Sequence, residues 1–151
     1  MTRGAELPPL ERLIPHSGAM RLLSRLVEHT TERTVCTVDP ADSELFRAAD
    51  GRVPAWVAVE WMAQCIAAHG TLLDAQDEPR PGFLVGAKRV TLHRDSFGPD
   101  ESVEVTARVV QRIGRLASIT CEVHAGGELA AEGALSVFIP DSVATYPGAG
   151  R

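Results

Sequence analysis

Glu60 is the residue of this chain best placed for acid–base chemistry. It stands in Arg52 to Gln64, read RVPAWVAVEWMAQ, as the one carboxylate among Val57, Ala58, Val59, Trp61, Met62 and Ala63, with Ile66, Ala67 and Ala68 following. Taking a carboxylate out of water without a partner is costly, so such a group holds a bond or moves a proton. A structural glutamate bonded to a backbone N–H is the plainer alternative. Trp56 and Trp61 flank Glu60 and could keep water from it, or could simply pack. Gln64, one helical turn on, could bond either Glu60 or a loop carbonyl. His69 follows Glu60 by nine residues, roughly 14 Å along a helix axis, too far to share a proton with it.

Other chemistries find little support. His16, His29, His69, His93 and His124 are scattered, without H-x-x-x-H or H-x-H spacing, and Cys36, Cys65 and Cys121 form no C-x-x-C. No metal site is expected, and the thiols read as reduced. A net charge of -5 argues against nucleic acid as the main partner. Within that acidic chain, Arg80 to Arg115 holds seven basic residues against four acidic ones. This local patch could receive an acidic carrier or a phosphate, or be a solvated strand face. MTRGAELPPL has no apolar signal core and no membrane-length window lacks charge, so the sequence predicts a cytoplasmic protein with no membrane partner.

The element that carries Glu60 is predicted as a helix from about Pro54 to Leu73, apolar all round and therefore interior. Before it, Arg21–Glu28 and Arg33–Val38 read as a strand hairpin, and Asp39–Val53 as a loop. After it, Phe83–His93, Ser102–Val109, Ala117–His124 and Leu129–Ile139 read as strands. In Leu129–Ile139 the odd positions from Leu129 form one face. The period of two calls for an antiparallel sheet buried on one face, with turns at Ile113-Gly114-Arg115 and Ala125-Gly126-Gly127. One helix enclosed by one curved antiparallel sheet is an α+β hotdog fold. Such a sheet is expected to pair edge to edge with a second subunit. Residues 1–140 form the single predicted domain, and 141–151, with Pro147, Gly148 and Gly150, a disordered tail.

Three segments, LIPHSGAMRLLSRLVEH (Leu13–His29), PAWVAVEWMAQ (Pro54–Gln64) and FLVGAKRV from Phe83, resemble the beta-hydroxyacyl-acyl-carrier-protein dehydratases of the FabZ/FabA type. GRVPAWVAVEWMAQCIAAHG is similar to the dehydratase-like ApeP subunits of aryl-polyene clusters. The likeness runs from about Leu10 to Pro140. It implies dehydration of a 3-hydroxyacyl thioester carried on the phosphopantetheine arm of an acyl carrier protein, with no further cofactor. It implies a site built across a dimer interface, in which a histidine takes the proton beside the thioester carbonyl and a helix carboxylate, here Glu60, helps the hydroxyl leave. It also implies that a backbone N–H at the helix start, here Ala55 after Pro54, holds the thioester oxygen, and that Phe83 falls near an aromatic of the acyl tunnel. Trp56, Phe46 and Gln64 join the expected substrate site. Lys88, Arg89 and Arg94 join the expected carrier-binding face.

The chain departs from that pattern at the histidine. The family's G-H-F-P-G-like loop reads ELFRAADGRVP here, Phe46 stands at about the histidine's place, and no histidine occurs between His29 and His69. Three resolutions stay open. His16, after Pro15 near the expected mouth of the site, could substitute, or could merely cap a turn. The chain could lend Glu60 to a histidine-bearing dehydratase subunit in a heterodimer, as against a homodimer. It could also be a non-catalytic docking or structural subunit. A hotdog thioesterase, with a helix glutamate activating water, is a further alternative.

Overall fold

The computed structural model describes residues 2–3, 7–14, 18–74 and 83–138. In chain order these give β1 (Thr2–Arg3), β2 (Arg25–His29), β3 (Arg33–Val38), β4 (Val53–Pro54), α1 (Ala58–Asp74), β5 (Phe83–Leu92), β6 (Ser96–Phe97), β7 (Val103–Ile113), β8 (Leu116–Ala125) and β9 (Glu128–Phe138). Seven strands form one antiparallel sheet in the order β1-β2-β3-β7-β8-β9-β5, and β4 pairs with β6 in a separate ribbon. The helix lies on β3, β7 and β8. This is the hotdog arrangement, one long helix against one large antiparallel sheet.

Alternation makes the sheet one-sided. In β8, Ala117, Ile119, Cys121, Val123 and Ala125 are buried while Thr120 and Glu122 between them are exposed. Small groups let the helix settle close: Ala58 and Ala68 are fully buried, and the Cys65 thiol lies 3.8 Å from that of Cys36 on β3. Burial pushes the Cys121 thiol up to about 12, and Cys65 is also raised, chiefly by its bond with Cys36 and then by burial. These thiols act as core packing. The β8–β9 turn needs a positive φ at both central residues, and Gly126 (60°) and Gly127 (84°) supply it.

Several expectations are corrected. The helix does not start at Pro54, whose extended backbone (φ -57°, ψ 142°) belongs to β4; a 3₁₀ turn over Ala55–Val57 leads into α1. The first hairpin strand starts at Arg25 and not Arg21, because the Leu22 N–H is taken by the Gln64 side chain. The Asp39–Val53 loop contains 3₁₀ turns at Pro40–Asp42 and Glu44–Phe46. Leu129 does not join the buried face. A register shift opposite Val123/His124 makes Ala130 an extra residue, which takes the buried place and leaves Leu129 exposed. Nor is the helix enclosed all round: Val59, Glu60, Ala63, Ala67 and Gly70, a stripe at helical spacing, are only half-buried. The expected tail 141–151 lies outside the described residues.

Toward the C-terminal end of α1, one hydroxyl joins two imidazoles. Thr34 Oγ1 lies 2.7 Å from His69 Nδ1 and 2.8 Å from His29 Nδ1. A hydroxyl has one proton, so it donates to one ring and accepts from the other, and the neutral rings must hold different tautomers. His69 is buried, and its Nε2 has no hydrogen-bond partner among the described residues. Burial, and then the nearby His29, hold His69 down to about 4, with the Thr31 carbonyl opposing; burial also lowers His29. Folded-state values below the ordinary 6.5 mean that the unfolded chain binds protons first. Their contribution is therefore complete above about pH 6.5 and is lost as pH falls toward about 4. The urea midpoint should be flat above that window and decline through it, and His69→Gln should make the decline shallower. An equal acid slope in that variant would show that His69 contributes nothing to it.

Candidate active site

Glu60 lies in the first turn of α1, half-buried on the open stripe, while Trp61, Met62, Cys65 and Ile66 point into the core. Its Oε1 accepts from Gln64 Nε2 at 3.2 Å. Gln64 is fully buried, and its amide does more than hold Glu60: Nε2 also donates to the Met20 carbonyl at 2.8 Å, and Oε1 accepts the Leu22 N–H at 2.9 Å. Both of the alternatives open at the sequence level are thus realised together. Two donors and one acceptor are used, and the chain after Gly18 is fixed beside Glu60.

Trp61 serves the loop and not the carboxylate. Its Nε1–H donates to Ser43 Oγ at 3.3 Å, and its ring meets Phe97 edge-on at 4.8 Å. Ser43 is the buried junction between the two 3₁₀ turns, so this bond fixes from below the loop that ends at Phe46. Phe46 is half-buried and meets Trp56 edge-to-face at 5.8 Å. The Glu44–Phe46 turn also packs against the Gly18–Met20 turn. Met20 (43%), Leu45 (59%) and Trp56 (58% exposed) give these adjoining segments an open apolar rim.

At the helix entrance, the Ala55 N–H donates to the Asp95 carbonyl at 2.9 Å. The donor that the resemblance implies for a thioester oxygen is therefore occupied in this chain. Pro54 is half-buried and pairs with Ser96. Arg94 is engaged as well: Nη1 lies 2.6 and 2.7 Å from the two Glu101 oxygens, and its guanidinium sits 5.2 Å over Phe97. Glu101 also accepts the Gly98 N–H at 2.6 Å. Of the three expected carrier-binding cations, Lys88 and Arg89 are the exposed ones.

Among the described residues, the other histidines are not brought to this place. His16 lies outside the described residues, as does the side chain of Phe83, whose backbone pairs with Phe138. His29 and His69 share Thr34, His93 Nε2 is 2.7 Å from Glu132, and His124 is 3.8 Å from Glu122. Among the described residues no cluster of three or more His, Cys, Asp or Glu could hold a metal ion. No helix among them is long and apolar enough to cross a membrane. Sequence reasoning missed Ser43 and Asp95, whose roles come from a hydroxyl and a carbonyl brought in from distant loops. Met20 and Leu22 stood inside a quoted segment but gave no sign of their bonds to Gln64.

A family model described as ApeP-like, ApeP dehydratase, matches residues 8–147. A 3-hydroxyacyl-[acyl-carrier-protein] dehydratase FabZ of Streptococcus equi subsp. zooepidemicus is 24% identical over 136 residues, covering 87% of this chain and 95% of the relative. Among solved structures, the dehydratase heterocomplex ApeI:P from Xenorhabdus doucetiae superposes with a TM-score of 0.82 at 22% identity, covering 90% of this chain and 93% of that one. A hypothetical thioesterase with coenzyme A from Streptococcus pneumoniae has a TM-score of 0.63 at 9% identity, covering 77% and 84%.

Gln64→Leu keeps the volume of the side chain but leaves the buried Leu22 N–H without its acceptor. An unsatisfied buried group costs about 1–3 kcal/mol. Urea denaturation should show a loss of that order, and an unchanged midpoint would mean that the amide is not what fixes this segment.

Proposed function

The chain belongs to the ApeP-like dehydratase family, and on that footing we propose that it is one subunit of a 3-hydroxyacyl-carrier-protein dehydratase, lending Glu60 to a site completed by a second, histidine-bearing subunit. The substrate class follows the named activity of the FabZ relative, and the pairing follows the heterocomplex of similar fold. Aryl-polyene or fatty-acyl-type biosynthesis in the cytoplasm is the setting that fits. The substrate would arrive on the phosphopantetheine arm of an acyl carrier protein, and the reaction asks for no other cofactor.

The observation that carries this reading is a half-buried carboxylate with no histidine beside it among the described residues. Glu60 sits half-exposed on a helix stripe, and Phe46 stands in the loop where the resemblance calls for a base. In the shared site the partner's histidine removes the proton next to the thioester carbonyl. The electrons left on that carbon form the double bond as the C–O bond breaks, and Glu60 supplies the proton that lets the hydroxyl leave as water. The apolar rim of Met20, Leu45 and Trp56 would lie against the acyl chain or the partner and keep water out. Because the Ala55 N–H is already bonded to Asp95, the donor to the thioester oxygen would come from another group.

Two rival readings make different forecasts. A thioesterase would release free thiol from acyl thioesters, whereas a scaffold would bind its partner and contribute nothing to the rate. Dehydration should be followed with 3-hydroxyacyl-carrier substrates for the isolated chain, for the histidine-bearing subunit and for their mixture. The isolated chain should be slow or inactive, since a missing acid–base group costs about 10²–10⁴ in rate. The mixture should exceed the sum of its parts. Vigorous turnover by the isolated chain would overturn the shared site and make His16→Ala the next variant.

A further inference from the structure

The outer face of the sheet, away from α1, changes character at one end. Along β8 the outward positions Ser118, Thr120, Glu122 and His124 alternate with the buried Ala117, Ile119, Cys121 and Val123. At the hairpin end that polar row stops. Leu116 pairs with Ile113 on β7 and with Phe138 on β9, so three apolar side chains share the outward side. Ile113 is 67% and Leu116 50% exposed, and Phe138 is half-buried. Val110, the extra residue at the register shift between Val109 and Gln111, adds a further side chain that is 62% exposed. The last pairing of β7 with β3 is Arg108 with Arg33, so residues 110–113 run on with no strand on that side among the described residues. Cations surround the cluster. Arg108 stands on the outward side opposite Thr120, Arg112 on the helix side opposite Ala117, and Arg115 in the turn, all exposed. No carboxylate occurs between Glu104 and Glu122, in a chain whose net charge is -5. Glu32 is the acidic residue that the β2–β3 turn brings alongside, through its carbonyl and the Val109 N–H.

We propose that the end of the β7–β8 hairpin docks on an anionic membrane surface, with Val110, Ile113 and Leu116 entering the headgroup layer and Arg108, Arg112 and Arg115 meeting lipid phosphates. The expectation of no membrane partner rested on the lack of a long apolar window. A surface contact asks for no spanning segment, so that lack does not bear on it. Two other occupants fit less well. A second copy would set arginines against arginines, where like charges repel. A stable protein interface takes about 20–30 residues a side, and this tip offers a handful. An interfacial anchor needs only a few apolar side chains below the phosphates with basic ones level with them. The remainder of the chain is acidic on balance and would be repelled by the same surface, so the tip would also orient the protein on the bilayer.

Vesicle flotation of the purified chain is the test, with phosphatidylcholine alone and with phosphatidylcholine mixed with phosphatidylglycerol. Wild type should float with the mixed vesicles and not with phosphatidylcholine alone, and added salt should release it. Ile113→Thr/Leu116→Thr places strand-favouring residues at both exposed positions and should weaken binding at least about tenfold, with an unchanged circular dichroism spectrum. Should that pair fold poorly, Val110→Thr should weaken binding in the same direction. Arg112→Gln/Arg115→Gln should cost about fivefold per arginine and flatten the salt dependence. Wild type that does not float with anionic vesicles overturns the proposal. So does binding that Ile113→Thr/Leu116→Thr retains in full, since that would be charge adhesion alone. Loss of flotation once the histidine-bearing subunit is added overturns it as well, because the tip would then be a contact between subunits. Neither Glu60 nor substrate enters this measurement, so its outcome is independent of the dehydratase reading.

Discussion

One helix cannot cover seven strands, and the rest of the architecture follows from that mismatch. Strands about 4.8 Å apart make this sheet on the order of 29 Å wide, whereas a helix with its side chains is about 10–12 Å across. The helix α1 covers β3, β7 and β8. Near the start of the chain, Leu10, Leu13, Ile14, Leu22 and Leu23 join the same core. Among the described residues, the helix-facing row of β5 stays exposed and the stripe of α1 that carries Val59, Ala63, Ala67 and Gly70 only half-buried. Glu60 lies on that stripe. The same shortage of cover leaves the carboxylate only half-buried.

Around Glu60, buried polar bonds do the positioning. The Gln64 amide ties Met20 and Leu22 to the carboxylate, Trp61 ties Ser43 to the helix, and the Ala55 N–H ties the helix entrance to Asp95. Each joins segments far apart in sequence, and each would leave a polar group unsatisfied if broken. The result is a rigid frame for one acid group. The frame holds Glu60 beside an apolar rim, with Phe46 in the loop where the resemblance calls for a histidine. On the proposed reading this is half of a site that a partner completes.

The layout was legible in the sequence because burial imposes simple periods. Alternation in Ala117–His124 and the lone apolar helix around Glu60 were enough for one helix on an antiparallel sheet. The errors share a cause, which is that no local pattern reports a contact with a distant segment. Leu129 reads as inward because a one-residue bulge at Ala130 leaves no mark on the alternation. The helix reads as enclosed because its composition is apolar, although that composition equally suits a half-buried stripe. Ala55 reads as a free donor in the sequence because the Asp95 carbonyl that occupies it lies 40 residues away. Gln64 was recognised as a bonding group, and only the structure supplied all three of its bonds.

The central claim is that this chain contributes chemistry through Glu60 to a site it does not complete. It is tested most directly by Glu60→Gln in the assembled complex with the histidine-bearing subunit, measured as single-turnover dehydration with assembly checked in parallel. Glutamine keeps the size of the side chain and can still hydrogen-bond, but it cannot give up a carboxyl proton. The account predicts an intact complex whose dehydration rate falls by about 10²–10⁴. An intact complex with an undiminished rate would contradict it and leave Glu60 as a structural residue in a supporting subunit.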